Sequence, residues 1–237
     1  SDPDKYDVLG AHIYGEVFGG GNEGDVTGNT TVNIGTANYS GTANFEGISI
    51  DKNSAGKGGT VYGGGNMANV LGNTNVTVSG GGRDDLANGV YIFNGIFGGG
   101  YSGSVGTFTR DKEATDYGHT THPGCIGKPT ACTSGGLCTV VVSGGQIGPV
   151  TVAKDGMPIP QGWVWGGSQG VLDDPAVDAD THFRSYVGST DVTIKEKAFI
   201  MEGIIGGGEF GRVLGDTWVK IEGGQIGVGD GQYNTDG

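Results

Sequence analysis

A unit that recurs five times along the chain constrains its fold more than any other feature of the sequence. The first two copies open on V-[FY]-G-G-G-N, and each copy closes on an alternating segment close to T-x-V-x-I. The glycine runs that open the five copies occupy residues 19–21, 63–65, 98–100, 166–167 and 206–208. Recurring units of this kind are typical of folds in which successive copies stack on one another. We therefore expect each copy to bury its apolar side chains against its neighbours in the chain.

The alternating segment predicts strands. Its period of two places apolar residues on one face, and the 38 Val and Ile residues far outnumber the 6 Leu residues. The 53 glycines bound these short strands and suit the corners between them. We predict an all-β fold, a parallel β-helix (β-solenoid) of about five irregular repeats in which each unit contributes several strands. A β-prism and a β-sandwich, in which the same strands pair antiparallel, are the alternatives.

One column of stacked side chains follows from this arrangement. The residues before the glycine runs are Phe18, Tyr62, Phe97 and Trp165, with Ile205 in the last copy. If equivalent positions stack, the four rings form an aromatic column that Ile205 ends. We interpret the column as a packing device, and the alternative is an exposed platform for stacking carbohydrate.

Two insertions interrupt the repeat, at residues 107–138 and 172–186. Both fall at almost the same corner of the unit, so we expect two neighbouring loops on one side of the fold. Loops carried by a rigid repeat scaffold are where binding surfaces are usually built. We expect residues 1–237 to form a single domain that is part of a longer protein.

The first insertion gathers histidine and cysteine. His119 and His122 precede Cys125, Cys132 and Cys138 within 20 residues. One disulfide among the three cysteines, with Cys125 bonded to Cys132 or Cys138, would link a loop that has no core of its own. A zinc site at His119, His122 and Cys125 is the alternative, although the cysteine spacing lacks the C-x2-C motif typical of zinc sites. Free thiols are the third possibility.

The second insertion is acidic. Its charged side chains are Asp173, Asp174, Asp178, Asp180, His182 and Arg184. We interpret it as a solvated loop, with calcium binding as the alternative, because Ca²⁺ takes six to eight oxygen ligands. Paired carboxylates could also act in glycoside hydrolysis or polysaccharide cleavage. The candidate catalytic residues for that alternative are Asp173, Asp174, Asp178, Asp180 and Arg184. The candidate binding residues across both insertions are His119, His122, Asp173, Asp174 and His182.

The charge balance excludes several classes of partner. The chain carries 13 basic and 26 acidic residues, a formal net charge of −13. This charge opposes binding to nucleic acid and to anionic lipid, and no apolar run is long enough to insert into a membrane. The sequence has no nucleophile elbow, P-loop or His-Glu-x-x-His motif, so we expect a protein with no catalytic role and no cofactor.

The motif V-[FYW]-G-G-G-N followed by G-N-T-x-V-x-I-x-G-G resembles the repeats of large, glycine-rich exported surface proteins of gut Bacteroidetes. The resemblance covers about residues 13–227 and implies a pectin-lyase-like β-helix. It also implies a secreted or cell-surface location and an adhesin-like or spacer role, with loops that contact glycans or host or bacterial surface proteins. Copies three to five depart from the pattern, because Tyr101, Gln169 and Glu209 replace the Asn after the glycine run.

Overall fold

A computed structural model describes residues 10–35, 47–81, 89–115, 126–149, 161–170 and 185–227. These residues form strands, turns and bends, and no helix occurs among them. It follows that no helix in the described ranges could cross a membrane. The prediction of an all-β fold is confirmed.

Three parallel sheets contain most of the strands. Each of the five units contributes one strand to sheets II and III, and sheet I contains six strands. Sheet I contains β1 (Ala11–Tyr14), β4 (Ile48–Asp51), β7 (Val90–Ile92), β12 (Gln146–Ile147), β16 (Phe199–Ile200) and β20 (Gln225–Ile226). Sheet II contains β2 (Glu16–Phe18), β5 (Thr60–Tyr62), β8 (Gly95–Phe97), β13 (Trp163–Trp165) and β17 (Gly203–Ile205). Sheet III contains β3 (Thr30–Gly35), β6 (Thr74–Ser79), β11 (Leu137–Val142), β15 (Ser189–Ile194) and β19 (Thr217–Ile221). Within each sheet the strands follow one another in chain order, so the antiparallel alternatives for these strands are excluded.

A column of valines lies between sheets II and III along the chain. Its members are Val26, Val70, Val105, Val187 and Val213. Isolated parallel bridges join the first four, and the parallel pair of β14 (Tyr186–Val187) and β18 (Arg212–Val213) joins the last two. The first insertion leaves the fold just after Val105. It forms an antiparallel hairpin of β9 (Thr107–Thr115) and β10 (Ile126–Ser134), and its last two residues, Leu137 and Cys138, begin β11.

The core lies on the inner face of the three sheets. The fully buried side chains at its centre include Ile92, Val61, Ile96, Val76 and Val140. These positions alternate with residues on the outer face, as the T-x-V-x-I pattern predicts. In the last unit, Val219 and Ile221 of β19 are 44% and 59% exposed, whereas their counterparts in β15 are fully buried.

Polar side chains bond each unit to the next. The hydroxyls of Thr30, Thr74 and Thr190 each donate to a glycine carbonyl of the following unit, at 2.6 Å. Asn29 Oδ1 accepts the backbone N–H of Asn73, at 2.8 Å, and Asn73 in turn accepts from Leu137. Both asparagines have ordinary φ angles, and their side chains connect neighbouring units.

Candidate functional site

The predicted aromatic column is confirmed, and it lies on the outer face of sheet II. Phe18, Tyr62, Phe97 and Trp165 stack with centroid spacings of 4.7, 5.3 and 5.9 Å and interplanar angles of 10° or less. Their neighbours Val61 and Ile96 point into the core, and strand alternation therefore directs the rings outward. Tyr62 and Phe97 are nevertheless only 2% and 4% exposed, whereas Trp165 at the end of the column is half-buried. The middle of the column is packing, and its last ring is accessible.

A cleft of about 320 Å³ opens beside this last ring. It is lined by Asn94, Gly95, Phe97, Trp163, Trp165, Gln169 and Glu209. Its volume falls within the range of about 300–1,000 Å³ that is typical of ligand pockets.

Two glycines flank Trp163, and its ring covers one of them. On sheet II, Trp163 pairs with Gly95 on one side and Gly203 on the other. A Cβ on Gly203 would lie 2.8 Å from the indole atom Cζ3, so the Trp163 ring covers this glycine. Gly95, which has no side chain to fill the opposite side, lines the cleft. The two indoles, Trp163 and Trp165, lie 5.6 Å apart with an angle of 33° and form one aromatic wall.

The polar wall comes from the position that follows each glycine run. In the first two units this position holds Asn22 and Asn66, whose side chains hydrogen-bond to each other at 2.7 Å. In the later units it holds Tyr101, Gln169 and Glu209. Tyr101 packs edge-on against Tyr62, with ring centroids 6.1 Å apart.

A hydrogen-bonded chain fixes the polar wall to the column. The Tyr62 hydroxyl donates to Gln169 Oε1. Gln169 also hydrogen-bonds the Glu209 carboxyl. Asn94 is also held, because its amide donates to Thr60 Oγ1 at 2.8 Å.

The electrostatics of the cleft are negative. Partial removal from water raises the pKa of the Glu209 carboxyl above its ordinary value, and the hydrogen bond from Gln169 opposes this rise. Burial, followed by the nearby charge of Glu16, raises the pKa of the Tyr62 hydroxyl well above its ordinary range. Tyr62 therefore stays neutral and acts as a hydrogen-bond donor. No Lys or Arg is among the described residues that line the cleft.

This arrangement is chemically suited to binding a ring that is apolar on its face and polar at its edge. The indoles offer an apolar surface, while Asn94, Gln169 and Glu209 offer hydrogen-bond donors and acceptors. In the described part of the chain, no group of three or more His, Cys, Asp or Glu side chains is placed to hold a metal ion.

Most of the residues singled out in the insertions lie outside the described residues. These are His119, His122, Cys125, Asp173, Asp174, Asp178, Asp180, His182 and Arg184. The zinc, calcium and catalytic hypotheses that depend on them stay predictions. Cys132 and Cys138 are described, and they form no disulfide with each other. Because Cys125 is not described, the predicted disulfide also stays a prediction.

The two insertions adjoin each other at their bases. Phe108 at the start of the hairpin packs against Tyr186, the last residue of the second insertion, with ring centroids 6.2 Å apart. Tyr186 is 3% exposed, and the Arg110 guanidinium lies 5.9 Å from its ring centre. The base of the first insertion is thus fixed to the repeat scaffold.

Our sequence reasoning placed Trp165 in the column but did not select Asn94, Trp163, Gln169 or Glu209 as site residues. Two signals could have found them. Gln169 and Glu209 depart from the repeated Asn, and Trp163 introduces a large side chain where other units have Glu, Thr or Gly. In a repeat fold, departures that neighbour one another in space are candidates for function.

Comparison of the chain with protein-family models, with curated proteins and with solved structures found no match. The function is therefore inferred from the fold and from the residues that line the cleft.

Proposed function

We propose that this protein is a non-enzymatic binding module of the cell surface, a β-solenoid whose outer cleft at Trp163 and Trp165 binds a glycan. The solenoid interpretation is supported by the strand order, because each unit enters sheets I, II and III in the same sequence. The glycan interpretation rests on one observation, the pair of tilted indoles beside three polar side chains in an open cleft.

The chemistry of a pyranose matches this cleft. The C–H bonds on one face of the sugar ring pack against an aromatic surface, while its hydroxyls need hydrogen-bond partners when they leave water. Trp163 and Trp165 supply the surface, and Asn94, Gln169 and Glu209 supply the partners. The rigid strands of sheet II hold both indoles in place, which reduces the entropy lost on binding.

Substitution of the cleft tryptophan tests the proposal. The purified chain is screened on a glycan array, and the affinity for any bound glycan is measured by calorimetry for Trp163→Ala and Trp218→Ala. Trp218 is the matched control, since it is 46% exposed on β19 of the last unit and does not line the cleft. Loss of an aromatic anchor costs about 2 kcal/mol or more, so Trp163→Ala should weaken binding about thirtyfold. Trp218→Ala should bind like the unchanged chain.

Deletion of the hairpin distinguishes the cleft from the loops. A variant in which Gly106 is joined to Gly135 removes β9 and β10 and leaves the strands of sheet III intact. We expect it to keep its affinity for the glycan. Loss of binding in the hairpin deletion, together with full binding in Trp163→Ala, would move the site to the first insertion.

A further inference from the structure

We infer that the cleft prefers sugars carrying a positive charge, an amino sugar with a free amine, and that Glu209 is the residue that determines this specificity. The inference rests on the proposed glycan-binding function. It adds the chemical class of the ligand.

The first argument is the position of the Glu209 carboxyl. It lies in the wall of a cleft whose other wall is two indoles, and the described lining residues provide no cation to neutralise it. A carboxylate beside apolar surface is less well solvated than one in open water, in agreement with the raised pKa of Glu209. An ammonium group in the cleft would restore the interactions that the carboxylate loses.

The second argument is the pair of indoles. A cation over an indole face is attracted by the negative charge of the ring, and Trp is the most effective side chain for this interaction. Trp163 and Trp165 are close enough, at 5.6 Å, for one ligand in the cleft to contact both. An amine attached to a sugar ring can therefore meet two indoles and one carboxylate.

The third argument is that Glu209 is held in position. Gln169 bonds both the carboxyl of Glu209 and the hydroxyl of Tyr62, which is 2% exposed within the column. Gln169 is thus a positioning residue. A carboxylate fixed before the ligand arrives loses little side-chain entropy on binding. The net charge of −13 acts in the same direction, because it repels uronates and other acidic sugars.

Three oligosaccharides with one backbone test the inference. The probes are glucosamine oligomers carrying a free amine, an N-acetyl group or an N-succinyl group, which are positive, neutral and negative. Their affinities are measured by calorimetry at a slightly acidic pH, which keeps the amine protonated, for the unchanged chain, for Glu209→Gln and for Glu222→Gln. Glu222 is the matched control, because it is an exposed carboxylate that follows β19 and does not line the cleft.

The expected order for the unchanged chain is amine, N-acetyl, N-succinyl, with the amine about tenfold tighter than the N-acetyl form. Glu209→Gln should lower the affinity for the amine oligomer about tenfold more than the affinity for the N-acetyl oligomer, and so remove this preference. Glu222→Gln should keep the preference. If Glu209→Gln and Glu222→Gln show the same preference for the amine oligomer over the N-acetyl oligomer, the overall charge of the protein selects the ligand and Glu209 does not. If the unchanged chain binds the N-acetyl oligomer and shows no preference for the amine, the inference about charge is wrong and the proposed glycan binding stands. If none of the three oligomers binds, both the inference and the proposed glycan binding in this cleft are wrong.

Discussion

Replacement of Gly98 by alanine tests how closely the units stack. A Cβ on Gly98 would lie 2.2 Å from the carbonyl oxygen of Gly166 in the next unit, against an ordinary contact of 3.4–4 Å. The same position in the last unit is Gly206, where the nearest atoms, on Thr217 and Val219, are 3.1–3.3 Å away. The two glycines occupy the same place in the repeat, and only Gly98 has a described unit on the far side.

The expected cost follows from these distances. To reach 3.4 Å, the backbone of the next unit must move by about 1.2 Å. This movement breaks or weakens the bonds from Gly98 N to Trp165 O and from Gly99 N to Gly167 O, now 2.9 and 3.0 Å. Loss of two hydrogen bonds costs about 2 kcal/mol, and the overpacking costs about 1–3 kcal/mol. The lower entropy of the unfolded alanine chain offsets about 0.4–1 kcal/mol, so the net loss is about 2–5 kcal/mol.

Urea unfolding followed by tryptophan fluorescence measures both variants. Gly98→Ala should lower the free energy of unfolding by about 2–5 kcal/mol, and Gly206→Ala should change it by less than about 0.5 kcal/mol. Equal losses in the two variants would refute the reasoning, because the effect would then arise within the unit and not from contact with the next one.

Further predictions concern the cysteines of the first insertion. Cys138 occupies the register position of Thr74 and Thr190, whose hydroxyls donate to the next unit. Cys138→Thr should therefore raise the free energy of unfolding by about 0.5–1.5 kcal/mol in urea titrations. A loss of stability would show that the extra methyl group of threonine does not fit. Burial raises the pKa of the Cys138 thiol to about 12, and the thiolate is the reactive form, so iodoacetamide under reducing conditions should label Cys132 in the folded protein and Cys138 only after unfolding. The same shift in pKa makes the folded state lose stability as pH rises above about 9, where the thiol of the unfolded chain ionises, and Cys138→Thr should reduce that loss. Peptide mass spectrometry measures the thiol labelling, and urea titrations at several pH values measure the loss of stability.

The sequence by itself determined the repeat, the strands and the aromatic column. The T-x-V-x-I pattern encodes a strand with one buried face. Phe18, Tyr62, Phe97 and Trp165 lie in register because each precedes the glycine run of its own unit. These are local and periodic properties, which one sequence contains in full. The parallel pairing followed from the same argument, because copies of a unit stack in one direction.

Only the tertiary structure decided where the column faces and what lies beside it. Alternation alone does not say which face of sheet II is inner, and the core valines of all three sheets settle it. The cleft depends on the position of Trp163 between Gly95 and Gly203 of the neighbouring strands. It also depends on Gln169, which bonds both Glu209 and Tyr62, a residue 107 positions away in the chain. Such contacts depend on how units stack in space, and a pattern within one unit does not contain them.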